Sequence, residues 1–252
     1  MVEVSIIIPT LNEEKHLPVL LQSLHAQTFK DFEIIVADHQ SKDKTRVIAK
    51  KYKCKIVSGG LPAQARNTGA KAAKGTLLLF IDADSYLGPK ALERLLHEFK
   101  RRKLDAASVF IRPLRGKPID KVLHGLINSF VFITQWFYPH GYGAFILCRK
   151  KVFSAVRGFD KSIKVAEDHH FVSKIYDYGF RFRILYRSSI STSIRRLEAE
   201  GRWRIAKQLF LIGLHRIFIG ELRKMDLGYS FKYRKFKYRK FFFRKNGGRA
   251  GI

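Results

Sequence analysis

Two carboxylates one residue apart, Asp82 and Asp84, follow directly on a run of five apolar residues that begins at Leu77. Such a run predicts a strand buried on both faces, and ligands bind where the strands of an open α/β sheet end. Because unpaired charge is costly to bury, the two acids need cationic partners. Carboxylate oxygens favour a hard divalent cation such as Mg²⁺ or Mn²⁺. A polar turn with no ligand is the alternative, since Asp is common in turns.

Two further acids come at the ends of predicted strands. Glu13 follows the first predicted strand, 4–8, and Asp38 follows the second, 32–37. Because parallel strands end at the same edge of a sheet, we expect these acids to lie near the first pair. Asp168 comes at the start of a predicted helix, where the helix dipole favours an ionised carboxylate. A simple N-cap is the alternative for that residue.

Short strands and helices alternate along residues 4–111, as is typical of an α/β fold. We predict a mostly parallel sheet with helices on both faces. Beyond the first two strands, the predicted strands are 54–57, 76–81, 106–111, 145–148 and 180–186. The predicted helices are 13–26, 43–53, 63–73, 89–103, 119–137 and 169–178. Helix 119–137 is amphipathic, with a wide aromatic-rich stripe opposite His124, Asn128 and Gln135.

The net charge is the outlier of the composition. A formal charge of +28 over 252 residues predicts an anionic partner, such as nucleic acid, an acidic membrane surface or a phosphorylated substrate. Two cysteines are too few for a disulfide framework and fit a reducing compartment. We predict no signal peptide, because Glu3 precedes a short apolar run that Pro9 ends. We predict no transmembrane span, because no apolar run reaches the roughly 18 residues that a span needs.

The last 52 residues form a predicted extension, 201–252, beyond a first domain of residues 1–200. Residues 205–222 are apolar nearly all round, and 231–245 contain no acid and many Lys, Arg, Phe and Tyr. This basic and aromatic tail is compatible with folding back on the domain, with nucleic acid or with a membrane interface. A membrane explains the tail and both apolar segments, 119–137 and 205–222, whereas nucleic acid explains only the tail. We therefore expect a peripheral protein at the cytoplasmic face of an anionic membrane.

Four blocks of the sequence, taken together and in this order, resemble the family 2 glycosyltransferases, which have the GT-A fold. The blocks are Val4-Ser5-Ile6-Ile7-Ile8-Pro9-Thr10-Leu11-Asn12-Glu13-Glu14, residues 37–45 from Ala37-Asp38 to Thr45, residues 65–84 from Ala65-Arg66-Asn67 to Asp84, and Gly158-Phe159-Asp160 with Glu167-Asp168. The resemblance covers about residues 3 to 196. It implies a GT-A-type sheet and the transfer of a sugar from a UDP- or GDP-sugar to an acceptor.

The first two blocks imply where the nucleoside of the donor binds. By resemblance, Pro9, Thr10 and Glu13 would line the base and ribose pocket, and Asp38 would hydrogen-bond the nucleobase. This chain has His39 and Gln40 where the second block usually carries glycines. The identity of the base therefore stays open.

The third block and the end of the matched region imply the diphosphate side of the site. By resemblance, Asp82 and Asp84 would bind the ribose and a Mn²⁺ or Mg²⁺ ion that bridges the diphosphate. Arg66 would help to hold the nucleotide or its phosphates, and Arg195 and Arg196 would present positive charge to the diphosphate. The chemistry agrees, because a divalent cation and arginines both stabilise the negative charge that builds on a leaving phosphate.

The fourth block implies that Asp168 is the catalytic base of an inverting transfer. A carboxylate within hydrogen-bond reach can take the proton of an attacking acceptor hydroxyl. Processive relatives carry a Gln-x-x-Arg-Trp motif, but Ala199 stands in the glutamine position before Arg202-Trp203. This difference favours a single transfer over processive synthesis.

Two questions of function follow from the sequence. The basic extension suggests a lipid-linked acceptor, such as a polyprenyl phosphate or a glycolipid. The alternative function is a non-catalytic membrane- or nucleic-acid-binding protein on a degenerate transferase fold. A sugar nucleotidyltransferase would need a Gly-rich basic loop after the first strand, and residues 9–13 contain none.

Overall fold

The computed structural model describes residues 2–137, 139–163, 165–205 and 207–208. Strands and helices follow each other in the order β1 Val4–Thr10, α1 Leu17–His25, β2 Phe32–Asp38, α2 Thr45–Lys51, β3 Lys55–Ser58, α3 Pro62–Ala72, β4 Leu77–Ile81, β5 Ser85–Tyr86, α4 Ala91–Arg101, β6 Ala106–Leu114, α5 Pro118–Thr134, β7 Phe145–Arg149, α6 Lys150–Ala155, α7 Glu167–Asp177, β8 Phe182–Ser193 and α8 Arg195–Glu200. The α/β prediction is confirmed.

These strands form one sheet in the order β3-β2-β1-β4-β7-β6-β8-β5. Four of its seven pairings are parallel: β1 with β2 and β4, β2 with β3, and β6 with β8. β7 runs antiparallel between β4 and β6, and β5 runs antiparallel to β8. As a result β1, β2 and β4 end side by side, which places the acids after these strands at one edge.

The sheet has a hydrophobic core on each face, and alternation along the strands produces both. In β4, Leu77, Leu79 and Ile81 belong to one core, whereas Leu78 and Phe80 belong to the other. Side chains of a strand alternate between faces, so an unbroken apolar run supplies both layers. Helices α1, α2 and α4 cover the first core, and α3, α6 and α7 cover the second. The predicted helices on both faces are confirmed.

The start of α1 differs from the prediction and matters for the site. The helix begins at Leu17, with Pro18 in its first turn, and not at residue 13. The backbone N–H of Glu13 donates to Thr45 Oγ1 at 2.8 Å, and that of Glu14 donates to Asp43. These bonds hold Glu13 in the loop at the sheet edge, where side chains at the start of α2 and just before it replace helical partners.

Two other elements also differ from the predicted bounds. Strand β8 continues to Ser193, past the predicted end at residue 186, because it pairs with β6 along its length around an irregularity after Val109. Helix α7 begins at Glu167, and Ala166 takes the N-cap position in a left-handed conformation with φ 61°. Asp168 is therefore in the first turn of α7 and is not its N-cap.

The C-terminal extension lies almost wholly beyond the described part of the chain. The predicted apolar segment 205–222 is described only at 205, 207 and 208, and the basic tail 231–245 lies outside the described residues. The domain boundary at residue 200 stays a prediction. Among the described residues, no helix combines the length and the apolar character needed to cross a bilayer.

Candidate active site

A cleft of about 370 Å³ opens at the carboxyl edge of β1 and β4. Of the residues predicted for the site, those that line this cleft are Pro9, Thr10, Glu13, Arg66, Asp82, Asp84, Asp168 and Arg195. Asp38 and Arg196 are not among its lining residues. The fold therefore brings together the ends of two strands, helix α3, the start of α7 and the start of α8.

Arg66 connects two walls of the cleft, the start of α7 and the end of β4. Its side chain, on α3, is only 4% exposed, and its Nη1 donates to Glu167 on α7. Its Nη2 lies 3.2 Å from Asp82 Oδ1. Burial alone would lower the pKa of Arg66, but the charges of Glu167 and Asp82 outweigh burial and raise it. The guanidinium is therefore fixed as a cation between two acids, and its Nη groups are directed to carboxylates.

The two acids bound to Arg66 remain short of positive charge. Burial raises the pKa of Glu167, and the neighbouring charge of Asp168 adds to this effect against Arg66. The pKa of Asp82 is raised as well, although its side chain is 42% exposed to the cleft. The main cause is the loss of hydration among the surrounding protein atoms, and the charges of Asp168 and Glu13 add to it. The single positive charge of Arg66 does not neutralise the three carboxylates of Asp82, Glu167 and Asp168.

Arg195 binds the other acids of the cleft. Its Nη1 and Nη2 donate to the two carboxylate oxygens of Glu13 at 2.8 and 2.7 Å, and its Nε lies 3.2 Å from Asp84 Oδ2. Burial would raise the pKa of Glu13, but hydrogen bonds with His16 and Arg195 hold it below its usual value. Burial raises the pKa of Asp84 to about 6, with Arg195 opposing and Asp82 adding to the shift. Of the two acids that Arg195 binds, Asp84 is the one whose ionisation the protein supports less.

The donor set of Asp82 and Asp84 fits a hard divalent cation. Both side chains present carboxylate oxygens to the cleft, and the raised pKa values mean that a further positive charge would be stabilised there. No group of three or more His, Cys, Asp or Glu side chains among the described residues is arranged to hold a metal. Mg²⁺ is commonly bound by only one or two carboxylates together with substrate phosphates and water. The protein would therefore supply part of the shell.

Asp168 is held against the opposite wall by a close backbone approach. The backbone N–H of His169 donates to Asp168 Oδ1 at 2.9 Å. A Cβ atom on Gly143 would lie 2.9 Å from Asp168 Oδ2 and 3.1 Å from Arg66 Nη2. Only glycine at position 143 leaves both groups where they are, so this residue helps to set the place of the carboxylate.

Two predicted site residues lie elsewhere. Asp38 is 5% exposed and accepts hydrogen bonds from Thr10 Oγ1 at 3.0 Å and from the backbone and side chain of Ser41. Asp38 is thus bound to Thr10 at the end of β1 and to Ser41 after β2. Arg196 pairs with Glu200 at 3.1 Å, one helical turn along the chain.

The sequence interpretation committed to no role for several residues of the cleft. Gly143, His39 and His169 line it, and Glu167 both lines it and pairs with Arg66. The resemblance already marked Glu167 through its block, and His39 stands in the second block. Gly143 has no local signal, because its role depends on a contact with α7 that only the fold creates.

A model of the family described as glycosyl transferase family 2 matches residues 5–157. TarS of Staphylococcus aureus, named a poly(ribitol-phosphate) beta-N-acetylglucosaminyltransferase, is 28% identical over 203 residues. That match covers 73% of this chain and 34% of TarS. EpsJ of Bacillus subtilis, named an uncharacterized glycosyltransferase, is 37% identical over 210 residues, covering 72% of this chain and 58% of EpsJ. The chain thus spans between a third and three fifths of the length of these relatives.

Solved structures share the fold. TarS 1–349 in complex with UDP-GlcNAc matches with a TM-score of 0.63 and 24% identity, covering 76% of this chain and 58% of that one. The mannosyltransferase PcManGT of Pyrobaculum calidifontis, in complex with GDP-Man and Mn²⁺, matches with a TM-score of 0.68 and 20% identity, covering 83% and 62%. The expected GT-A-type architecture is confirmed. With the matched model covering most of β1 to α6 and the acids at the strand ends, the chain belongs to glycosyl transferase family 2.

Proposed function

We propose that the protein transfers a sugar from a nucleoside-diphosphate sugar to an acceptor, with inversion at the anomeric carbon. The observation that carries this proposal is the pairing of opposite chemistries within one cleft. Asp84, Asp82 and Arg195 form a charged donor side, and Asp168 lies on α7 within electrostatic reach of Asp82. A cleft of about 370 Å³ has the size of an ordinary ligand site.

On the donor side, Pro9 and Thr10 would line the nucleoside pocket with Glu13. His39 and Leu61 also line this part of the cleft and are candidates for contact with the base. Asp38 would support this pocket without lining it, because its bonds with Thr10 and Ser41 hold the two strand-end loops together. UDP-GlcNAc and GDP-Man, named with the two structural relatives, support a choice between UDP and GDP donors.

On the diphosphate side, Asp82 and Asp84 would hold a Mn²⁺ or Mg²⁺ ion, which stabilises negative charge on the departing diphosphate. The Mn²⁺ named with PcManGT supports this choice. Arg195 presents a guanidinium fork from the same wall and would exchange part of its carboxylate contacts for phosphate oxygens. Arg196 would contribute positive charge from outside the cleft wall, since it lies next to Arg195 in α8.

The transfer step uses Asp168 as general base. The acceptor oxygen forms a bond to the anomeric carbon while the bond from that carbon to the diphosphate oxygen breaks. The electron pair leaves with the nucleoside diphosphate, and the proton of an acceptor hydroxyl passes to the Asp168 carboxylate. A phosphate acceptor would attack as an anion and release no proton. Attack opposite to the leaving group inverts the anomeric carbon.

For the acceptor, we propose a lipid-linked molecule at the cytoplasmic face of a membrane. The net charge of +28 supports an anionic partner, and both cysteines are free, as suits a reducing compartment. The poly(ribitol-phosphate) in the name of TarS is also a phosphate-rich acceptor. Single transfer is favoured by the absent Gln-x-x-Arg-Trp motif.

A thermal-shift screen of UDP- and GDP-sugars with and without Mn²⁺ tests donor binding. A ligand that binds the folded state raises the apparent melting temperature, by an amount equivalent to about 2.7 kcal/mol at a hundredfold excess over Kd. We expect one class of donor to stabilise the protein, with Mn²⁺ required for the full shift. Asp84→Ala should lose the part of the shift that depends on Mn²⁺.

The screen also addresses the alternative of a binding protein on a degenerate fold. Such a protein would show no stabilisation by any nucleotide sugar, while binding RNA or vesicles in a salt-dependent way. Absence of every donor shift in the wild-type protein, with Mn²⁺ present, would exclude the proposed donor site.

A further inference from the structure

Helix α5 has its apolar side turned to the outside. The residues at helical spacing that form this side are Ile119, Val122, Leu126, Phe130, Ile133 and Phe137, the last in the turn after the helix. They are between 47% and 70% exposed. We call this set the α5 apolar face. An amphipathic helix of a globular protein normally buries such a stripe in the core.

The polar side of α5 attaches the helix to the domain. The Asn128 amide bonds both the N–H and the C=O of Ile111 in β6, at 3.1 and 2.8 Å. Gln135 Oε1 accepts from the backbone N–H of Ile184 at 2.9 Å. These contacts satisfy backbone groups of two strands, so the helix cannot rotate its apolar side inward without breaking them. The outward orientation is built into the fold.

The exposed charged residues in the stretch of chain that contains the α5 apolar face have one sign. The exposed charged residues between 106 and 137 are Arg112, Arg115, Lys117 and Lys121, and no exposed acid lies among them. The one acid in that stretch, Asp120, is fully buried and receives both arms of the Arg202 guanidinium, at 2.6 and 2.9 Å. Basic side chains bordering exposed aromatic and aliphatic ones suit an interface of lipid headgroups and acyl chains.

The α5 apolar face also leads to the acceptor side of the cleft. The ring of Phe130 lies 5.7 Å from that of His140, which is buried. Nδ1 of His140 lies 3.2 Å from Nδ1 of His169, and His169 lines the cleft beside Asp168. A molecule resting on the helix could therefore present its polar end to the base.

We infer that the α5 apolar face is the membrane-contact surface of this protein and inserts into an anionic bilayer. The inference takes its partner from the lipid-linked acceptor of the proposed function. The bilayer is favoured over a protein partner because the exposed charged residues in the stretch 106–137, which contains the face, are all basic. The backbone hydrogen bonds of Asn128 and Gln135 would hold the apolar side chains in the plane of the interface, as in other interfacial helices.

The test is sedimentation of the full chain with vesicles, compared between two double variants. Leu126→Glu/Ile133→Glu places two charges on the α5 apolar face, at side chains that are 64% and 65% exposed. Val47→Glu/Tyr178→Glu is the matched control, because its side chains are 66% and 58% exposed but lie on α2 and after α7. Vesicles of phosphatidylcholine with phosphatidylglycerol are compared with vesicles of phosphatidylcholine alone.

We expect the wild-type protein and the control to bind the anionic vesicles, and less strongly the neutral ones. The α5 variant should bind at least about 100-fold more weakly, because charges replace two aliphatic side chains that would be buried in the bilayer. Equal binding by both variants would overturn the inference, because contact would then come from elsewhere, including residues 209–252. Absence of wild-type binding would overturn it as well.

The two tryptophans give an independent readout. Trp136 and Trp203 are 59% and 83% exposed, and both are next to α5 or to the Arg202 contact with it. In Trp203→Phe, emission from Trp136 should shift to the blue on adding anionic vesicles and be quenched by brominated lipid. Unchanged emission would count against insertion. A dimer in the absence of vesicles that the α5 variant converts to a monomer would assign the face to a second copy instead.

Donor binding separates this inference from the proposed function. Both double variants should keep the wild-type thermal shift with nucleotide sugar and Mn²⁺, because neither alters a cleft residue. A protein that binds vesicles through α5 but no nucleotide sugar would retain the inference and exclude the proposed transfer.

Discussion

Asp84 is a side chain of the cleft in which charge and burial conflict. Its carboxylate is paired with Arg195, and that arginine also binds both oxygens of Glu13. The protein thus keeps a carboxylate whose pKa is raised to about 6 where an apolar or amide side chain would be more stable. Sites that bind charge tightly are often destabilised in this way before the ligand arrives.

Asp84→Asn should stabilise the metal-free protein at pH 8. The pKa of Asp84 rises from 3.8 to about 6, so between these values the folded protein binds more protons than the unfolded chain. Stability from this group is therefore greatest at low pH and falls as pH rises through about 6, by on the order of 3 kcal/mol in total. The variant should lose that pH dependence, as measured by urea unfolding in EDTA at pH 5 and pH 8.

The exposed Asp31→Asn is the matched control and should behave as the wild type at both pH values. Metal-dependent donor binding should be lost in Asp84→Asn although the fold is more stable. A variant that is less stable than the wild type at pH 8 would show that the Asp84 charge supports the metal-free fold.

Gly143→Ala should reduce turnover while leaving the fold intact. The added Cβ would lie 2.9 Å from Asp168 Oδ2, a flexible carboxylate that can move aside at little cost in stability. Displacing a general base by a few tenths of an ångström to an ångström costs on the order of 100-fold in rate. The measurement is kcat for donor turnover beside the melting temperature. Gly125→Ala, on the exposed side of α5 with open space around its Cβ position, is the control.

At the scale of elements, helix α3 is the support of the site. Arg66 reaches from it to Glu167 in α7 and to Asp82 after β4, and so ties both acidic walls to one helix. Removing a buried partner of this kind leaves charges uncompensated, which is more damaging than replacing the whole cluster.

Arg66→Met should lower the free energy of unfolding by about 3–5 kcal/mol at neutral pH. The loss should shrink at acid pH, because protonation of Asp82 and Glu167, whose pKa values are already raised, removes the unpaired charge. Denaturant unfolding at pH 5 and pH 8 checks both parts. Lys71→Met removes an exposed cation from the same helix and should change stability by less than about 0.5 kcal/mol. Equal losses in the two variants would contradict a buried-charge mechanism.

The elements also show which features local sequence can predict. Apolar runs and acids at their ends predicted the strands and the acidic edge of the sheet, because these depend on neighbours along the chain. The start of α1 was predicted four residues early, since side chains of Thr45 and Asp43 bind the backbone N–H groups there. The stripe on α5 was predicted correctly, but its outward orientation depends on Asn128 and Gln135 binding other strands.

Sequence reasoning could not predict the contacts that complete the site, because these contacts join residues that are far apart in the chain. Arg66 and Glu167 are 101 positions apart, and Arg195 and Glu13 are 182 apart. Periodicity and turn chemistry carry no information about such pairs. The resemblance supplied the identity of the residues, and the fold supplied their partners, including those of Asp38.

At the scale of the whole molecule, charge and apolar surface would have different roles in bringing an acceptor to the cleft. Acids gather in one cleft of a chain whose net charge is +28. An anionic acceptor would be drawn toward the surface by long-range attraction, which weakens as salt is added. The α5 apolar face and the cleft are connected through Phe130, His140 and His169. Such a layout would deliver a lipid-linked acceptor to Asp168 from the side.

The most direct test of the proposed transfer is turnover of the nucleotide sugar by Asp168→Asn in the presence of Mn²⁺. The amide keeps the shape of the carboxylate and its hydrogen bond from the His169 backbone, but it cannot take a proton. We predict that donor binding by thermal shift stays as in the wild type, while transfer to an acceptor hydroxyl falls by about 100-fold or more. Full transfer activity in Asp168→Asn would contradict the assignment of the base and, with it, the proposed mechanism.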